Sequence, residues 1–349
     1  MEGRMAILKG PGLLARTSRD LRFVGGVLRK HPFQVLVQVT NRCNMRCSFC
    51  GFWPNGVAPR LELTVADYQR VAAELAKIGT FLVSVEGGEP LLRPDIIEIV
   101  RAFAQRHAPV LYTNGWFVDD AKAQGLFAAG VAQVGVSIDF ADAARHDRKR
   151  RLDGAFDQAW RAVDTLLAHA PHGGAQVHVM TILMKENQDD VEKLLQMSAA
   201  RGVGHCVTLL STDGFRRGKS DQDQLPDVSL SARMLDLWQR YPHLRTFRDY
   251  LERMDAFVER GPMPACHAGE QSFNIDHLGN VSPCIERIDS VVGNVRDEAL
   301  AQIVGRMKGL DSVARCQDCW TLCRGFTQAL GQGSTMRSLA DLSTRMRSQ

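Results

Sequence analysis

The 349-residue chain has no uncharged apolar run long enough to cross a bilayer, so no membrane span is expected. Residues 1–30 lack an unbroken apolar segment followed by a small-residue cleavage site. Secretion is therefore not expected, and the cytoplasm is the anticipated location. There is no internal repeat and no low-complexity tract, which sets aside solenoids and compositionally disordered chains. Neither sign of charge is in large excess: 43 Lys and Arg against 39 Asp and Glu leave +4, too little to argue for a nucleic-acid partner. What remains is ordinary globular composition, 45% apolar and 23% charged, in a chain long enough for one large domain or two common ones.

Two distributions are uneven. Residues 1–33 carry seven Lys and Arg against Glu2 and Asp20, a net of +5, which leaves −1 for the rest of the chain. The nine cysteines stand at 43, 47 and 50, at 206, and at 266, 284, 316, 319 and 323. An odd number at short spacings, in a chain without a secretion signal, points to metal ligation rather than disulfides.

Apolar, β-branched runs predict strands at 34–39, 81–85, 110–113, 134–138, 177–183 and 206–210. Helical periodicity fills the gaps, beginning with a helix over 64–78 whose Thr64 and Asp67 have capping-box spacing. Alternation of this kind implies a parallel sheet with right-handed crossovers. Six strands are too few for a closed eight-stranded barrel, so a doubly wound sheet and an incomplete barrel both fit the pattern. A polar, Gly-bearing stretch at 213–228 reads as a linker or a substrate-facing loop, with helices expected at 231–239 and 244–260.

Cys43, Cys47 and Cys50 form C-x3-C-x2-C on the loop after the first predicted strand, where α/β folds place their sites. Three thiolates can hold three corners of a [4Fe–4S] cubane and leave its fourth iron open. Zinc is the alternative, but no fourth Cys or His lies in the loop. With Phe49 before the last cysteine, this loop resembles the signature of the radical S-adenosylmethionine (SAM) superfamily. Further stretches resemble the same family: Gly87-Gly88-Glu89-Pro90 after the second strand, and Tyr112-Thr113-Asn114-Gly115 at the end of the third. Val136-Ser137-Ile138-Asp139 ends the fourth strand, followed by His146-Asp147 with Arg150, Gly154 and Phe156. The resemblance implies that Gly87, Gly88, Glu89, Pro90, Asn114, Ser137, Asp139 and Arg150 contribute to SAM binding. It also implies that an electron from the cluster breaks the C5′–S bond of SAM. The resulting 5′-deoxyadenosyl radical would abstract hydrogen from a substrate. The cofactor supplies that reactivity, and the protein orients it and excludes water.

Farther along, Cys266 and Cys284 follow C-x12-G-x4-C around Gly279, and residues 273–283 read as two short strands about a Leu-Gly-Asn turn. Cys316 and Cys319 add a C-x2-C pair. A four-cysteine zinc ribbon is the alternative reading, though its usual pairing is C-x2-C with C-x2-C. The pattern, with Gly293-Asn294-Val295 between its halves, resembles the SPASM/twitch extension of radical SAM enzymes. That resemblance implies one auxiliary [4Fe–4S] cluster held by Cys266, Cys284, Cys316 and Cys319. No cysteine follows Cys323, so a second auxiliary cluster lacks ligands, and Cys323 is expected to be a spare thiol, with exchange for Cys316 or Cys319 as the alternative.

The implied fold is α/β: a partial (β/α)6, TIM-like radical SAM core at 34–212 and a small C-terminal twitch/SPASM-like iron–sulfur module at 263–333. A basic N-terminal segment covers 1–33, a linker and helices 213–262, and a flexible tail 334–349. His205 and Asp213, flanking the sixth strand, are candidate bases, with solvated polar groups as the plainer alternative. Cys206 reads as a small core residue. Tyr112 and Trp116 either line the pocket or pack. Phe215-Arg216-Arg217-Gly218-Lys219 reads as a solvated loop or a seat for an anionic group. Leu14, Leu21, Val24 and Leu28 share one helical stripe among arginines. Such a helix lies on the barrel or on an anionic membrane surface, although Gly25-Gly26 weakens it.

The expected activity is a radical SAM oxidoreductase that oxidises or rearranges a small polar molecule. Its cofactors would be SAM and two [4Fe–4S] clusters, one SAM-binding and one auxiliary, with a flavodoxin- or ferredoxin-type reductant. A closed auxiliary cluster suits acceptance of a second electron from a substrate radical. The alternatives are a maturase of a ribosomally made peptide, an enzyme that modifies a lipid at the membrane surface, and a non-catalytic iron–sulfur carrier.

Overall fold

Six β-branched runs become parallel strands: β1 (Gln34–Thr40), β2 (Leu82–Gly87), β3 (Ala108–Thr113), β4 (Gln133–Ser137), β5 (Val177–Leu183) and β6 (Gly204–Leu209). The structure is a computed structural model and describes residues 13–211, 213–216, 224–331 and 335–347. Alternation decides which side chains face which way. Val35, Val37 and Val39 of β1 and Val83 and Val85 of β2 are buried in the main apolar core with the covering helices. Their neighbours Leu36, Ser84 and Glu86 line an internal cavity instead. Each fully buried Val or Leu contributes about 1.5–3 kcal/mol, so this face fixes the strand register.

The helices, in order, are α1 (Leu13–Leu28), α2 (Val65–Ile78), α3 (Ile96–Ala104), α4 (Asp120–Ala129), α5 (Ala143–Arg150), α6 (Ala155–His169) and α7 (Val191–Ala199). They continue with α8 (Leu230–Arg240), α9 (Arg248–Leu251), α10 (Met254–Val258), α11 (Leu300–Arg306), α12 (Asp311–Ala314), α13 (Leu322–Gly331) and α14 (Thr335–Arg347). The capping box of α2 is present, with Thr64 and Asp67 each satisfying the other's backbone N–H. The sheet order is β6-β5-β4-β3-β2-β1-β7-β8-β9, with parallel pairing from β6 to β7 and no closure. This is a partial (β/α)6 barrel.

β7 (Ser272–Ile275) and β8 (Asn280–Ser282) form the expected antiparallel hairpin about Gly279, whose φ is +91°. β9 (Gly293–Asn294) pairs with β8. β7 lies parallel to β1, and Phe273 and Ile275 belong to the same core as β1. The C-terminal module is therefore an extension of the barrel sheet, with no separate core of its own among the described residues.

Three elements differ from the sequence reading. α5 forms from a polar stretch without an apolar stripe; the Asp142 side chain caps it at Arg145 N, 2.8 Å away. The single helix expected at 244–260 is two short ones, α9 and α10. The tail is helical as α14, where the Arg345 guanidinium lies 3.3 Å from the centre of the Trp238 ring and donates to the Trp238 carbonyl. Arg337 of the same helix pairs with Asp249.

Candidate active site

A cavity of about 1080 Å3 occupies the barrel interior and joins regions distant in sequence. Cys43, Cys47 and Cys50, on the loop after β1, form part of its wall, together with Gly87, Gly88, Asn114, Ser137 and Arg150. Glu89, Pro90 and Asp139 lie behind that wall, buried.

The glycine pair sits where no side chain fits. Gly87 has φ +139°, and a Cβ there would stand 2.1 Å from the Thr40 carbonyl oxygen; one on Gly88 would stand 2.1 Å from that of Arg42. The close approach lets Gly88 N donate to Thr40 O at 2.6 Å and Glu89 N to Arg42 O at 2.8 Å. The Glu89 carboxylate accepts from Leu91 N (2.9 Å), Thr113 Oγ1 (2.8 Å) and Asn114 N (2.7 Å). Burial pushes its pKa up to about 6 even so. Glu89 thus clamps the end of β3 to the glycine loop, and the side facing the cavity is backbone.

Asn114 Nδ2 donates to Asn44 Oδ1 at 2.8 Å and lies 3.8 Å from Cys43 Sγ, so β3 steadies the cysteine loop. Arg150 does the same from α5. Its guanidinium donates twice to Asp139 Oδ2, at 3.0 and 2.6 Å, and lies over the Phe49 ring at 5.6 Å. Asp139 is in turn held by Ile182 N at 3.0 Å. The motif after β4 has its own logic: Asp147 accepts from Gly154 N (2.7 Å) and Phe156 N (2.8 Å), which fixes the start of α6.

Burial raises the Cys43 thiol to about 12 and the Cys47 thiol to about 11, the latter against the pull of Arg150. Thiolates at this depth call for a cation beside them, and a soft donor set of three thiols on one short loop fits iron. Among the described residues no three Cys, His, Asp or Glu side chains already form a group that could hold a single metal ion.

The second cysteine set is gathered from the loop before β7 (Cys266), the β8 end (Cys284) and the turn after α12 (Cys316 and Cys319), with Cys323 following at the start of α13. The charges of Cys319, Cys266 and Cys323 all act on Cys284, and burial raises its pKa strongly. Cys266 feels Cys316 and Cys323. Cys316 is half-buried and sits 3.4 Å from Asp318 Oδ2, which also holds Arg287. The Arg324 guanidinium donates to the Cys319, Pro264 and Cys316 carbonyls. Cys323 stands near the other four, since its charge acts on Cys284 and Cys266. It lines the cavity, 2.9 Å from Thr321 Oγ1, and packs with Cys50 on the cluster of Leu36, Phe52 and Ile285.

A charged bridge ties the two sets together. Arg216, 8% exposed, pairs with Glu286 at 2.8 Å and with Glu86 at 3.6 Å, while Ser211 Oγ donates to Glu286 at 3.0 Å. Gly51 N donates to Arg216 O, so the bridge reaches the cysteine loop itself. Arg216 is thus no solvated loop residue; Arg217, Gly218 and Lys219 lie outside the described residues. Glu86 was legible in principle, since it alternates inward on β2.

The base candidates are elsewhere. His205 is fully buried between Thr181 Oγ1 (3.0 Å) and Ser198 Oγ (2.9 Å), on the helix side of β6, and burial lowers its pKa to about 3. Asp213 is exposed and caps Gly214 N at 2.7 Å. Neither lines the cavity. Tyr112, His178, Cys206 and Arg245 do. His178 has no hydrogen-bond partner on either ring nitrogen among the described residues. Trp116 packs beside the cysteine loop.

An open parallel barrel with a three-cysteine loop at its strand ends, backed by a glycine loop, defines a cofactor-dependent iron–sulfur enzyme. The family profile described as the radical SAM superfamily matches residues 37–198, and the SPASM iron–sulfur cluster-binding domain matches 266–320. The chain belongs to the radical SAM superfamily. It is 32% identical over 292 residues to the AdoMet-dependent heme synthase of Methanosarcina barkeri, covering 78% of this chain and 82% of that protein. It is 27% identical over 319 residues to the mycofactocin maturase of Mycolicibacterium smegmatis, 85% of this chain and 78% of that one. The solved structure of anSMEcpe with bound AdoMet shares the fold, with TM-score 0.63 and 15% identity over 90% of this chain and 96% of that one. The cofactors are accordingly SAM and [4Fe–4S] clusters, one at the barrel and one auxiliary. Among the described residues no helix is long and apolar enough to cross a membrane.

Proposed function

We propose that this chain is a radical SAM oxidoreductase acting on a substrate seated in the cavity that joins its two cysteine sets. The observation that carries this reading is that one cavity wall includes both the Cys43–Cys50 loop and Cys323, beside the auxiliary cysteines. Cys43, Cys47 and Cys50 would hold the first cluster. Gly87, Gly88, Asn114 and Ser137 would border SAM, kept in place by Glu89, Pro90, Asp139 and Arg150. Cys266, Cys284, Cys316 and Cys319 would hold the auxiliary cluster, with Cys323 between it and the substrate. When bound, this cofactor set supplies a hydrogen-abstracting radical and an acceptor for the second electron. The chain's own residues exclude water from the barrel, fix the cysteine loop through Arg150 and Asn114, and hold the auxiliary module against the loop through Glu86, Arg216 and Glu286. A flavodoxin- or ferredoxin-type protein is the proposed reductant.

The relatives weigh against the small polar substrate expected from the sequence. A relative described as a maturase favours the second reading, a ribosomally made peptide. The test is anaerobic reconstitution followed by product analysis with SAM and dithionite. About eight irons per chain and 5′-deoxyadenosine are expected. A fully loaded protein that forms no 5′-deoxyadenosine would instead be an electron carrier.

A further inference from the structure

The same cavity has a second end. From the cysteine loop it continues down the barrel, past Val110, Ala108 and Leu82, to Val131 and Ala132 at the opposite ends of the strands. There it meets α1 and α14. Thr17, Asp20 and Val24 of α1, at i, i+3 and i+7, line it on one side, and Leu339 and Ser343 of α14 on another.

The rim of this mouth is unusual. Large apolar side chains left exposed among the described residues are Leu21, Leu28, Leu61, Val228, Val291 and Met336. Half of these lie on α1 and α14, the two helices that line the mouth. Leu21 (69% exposed) and Leu28 (58%) lie seven residues apart on α1, beside the face that lines the cavity. Met336 (71%) shares its face of α14 with Leu339 and Ser343. The inner face of α1 is already satisfied, since Val27 is buried with Phe33 and Phe23 packs against the same cluster. Among the described residues the outer stripe therefore packs against little else. Arg22, Arg29 and Lys30 are exposed beside it, and no carboxylate pairs with them among the described residues. α1 runs unbroken through Gly25 and Gly26, where an added Cβ would meet nothing within 4 Å.

An apolar stripe edged with uncompensated positive charge is complementary to an anionic bilayer surface. We propose that α1 and α14 dock on an anionic membrane, and that the mouth between them admits a substrate with a long apolar chain into the barrel. The chain lies along the lumen, where Leu36, Leu82, Val110 and Met180 stand among the polar Gln34, Gln133 and His178, and its reacting carbon reaches the cysteine-loop end. This assignment rests on the reading of the cavity as the substrate site, and it gives Arg22, Arg29 and Lys30 a function.

The test uses the reconstituted full chain and two probes. The first is co-sedimentation with phosphatidylcholine vesicles, with and without phosphatidylglycerol. Binding to the anionic vesicles only, weakened by salt, is expected, with about a tenfold or greater loss in Leu21→Glu/Leu28→Glu. Both leucines are exposed, so the variant should keep the wild-type melting temperature and 5′-deoxyadenosine yield. The second probe is 11-(dansylamino)undecanoate, whose fluorescence should rise on binding. Ala132→Trp, which fills the lumen away from the cysteines, should abolish that rise, and the leucine variant should retain it. Equal sedimentation of wild type and leucine variant overturns the membrane contact. Absence of probe binding, or binding indifferent to Ala132→Trp, overturns the apolar channel. Failure to form 5′-deoxyadenosine while both probes behave as expected would instead strike the radical SAM reading alone.

Discussion

The two cysteine sets are built in opposite ways. The first is local: Cys43, Cys47 and Cys50 lie on one loop, and distant residues only brace it. The second is assembled by tertiary structure from the two flanks of a hairpin and a turn some thirty residues on. Their buried arginines differ in the same sense. Arg150 beside the first set is paired with Asp139. Arg324 beside the second donates only to carbonyls, and among the described residues no carboxylate pairs with it. The arginine that braces the first site is thus charge-balanced by the protein itself. The second depends on its cluster for both shape and charge, as expected where metal binding is folding energy.

The largest effect should come from removing each cluster in turn. Cys43→Ala/Cys47→Ala/Cys50→Ala and Cys266→Ala/Cys284→Ala should each lower iron from about eight to about four per chain. Only the second should expose residues 263–331 to limited proteolysis. Equal protease resistance would break the contrast.

Next come the arginines. Arg150→Met leaves Asp139 buried and uncompensated, and should cost about 3–5 kcal/mol in urea denaturation. Arg324→Met strands no carboxylate and should cost about 1–3 kcal/mol, while shifting the auxiliary cluster's reduction potential. Gly88→Ala forces a Cβ to within 2.1 Å of the Arg42 carbonyl and should cost about 1–3 kcal/mol, together with SAM affinity by equilibrium dialysis. Gly305→Ala in α11, where a Cβ meets nothing within 4 Å, should be neutral or stabilise by up to about 1 kcal/mol.

A further effect is a pH slope belonging to the first site. Glu89 has a folded pKa of about 6 against an ordinary 4.5. Between those values the folded state keeps a proton that the unfolded state has lost. Stability should therefore fall as pH rises through that window, by up to about 2 kcal/mol. Denaturation of Glu89→Gln across the same range should lack the slope.

The contrast also explains what the sequence made legible. The Cys43 loop, Gly87-Gly88 and the strand-end residues are short-range patterns, and the structure sets the loop, both glycines, Asn114 and Ser137 on one wall. β1 to β6 were visible because each buries a β-branched run. The pairing of β7 with β1 was not, because it joins residues more than 200 positions apart with no local signature. Arg216 read as a solvated loop for the same reason: its partners Glu86 and Glu286 come from β2 and the auxiliary module. α14 is amphipathic but polar in composition, and only its docking through Arg345 on Trp238 shows that it is ordered. His205 failed as a base candidate because strand alternation turns it toward α7, a parity that its position at a strand end concealed.

The most direct test of the division between the two sites is 5′-deoxyadenosine formed from SAM and dithionite by the anaerobically reconstituted variants. Cys43→Ala/Cys47→Ala/Cys50→Ala should form none, and Cys266→Ala/Cys284→Ala should form it at a rate within about tenfold of wild type, since Asn114 and Arg150 brace the first loop from outside the auxiliary module. Loss of 5′-deoxyadenosine in both, or its survival in the first variant, would contradict the account.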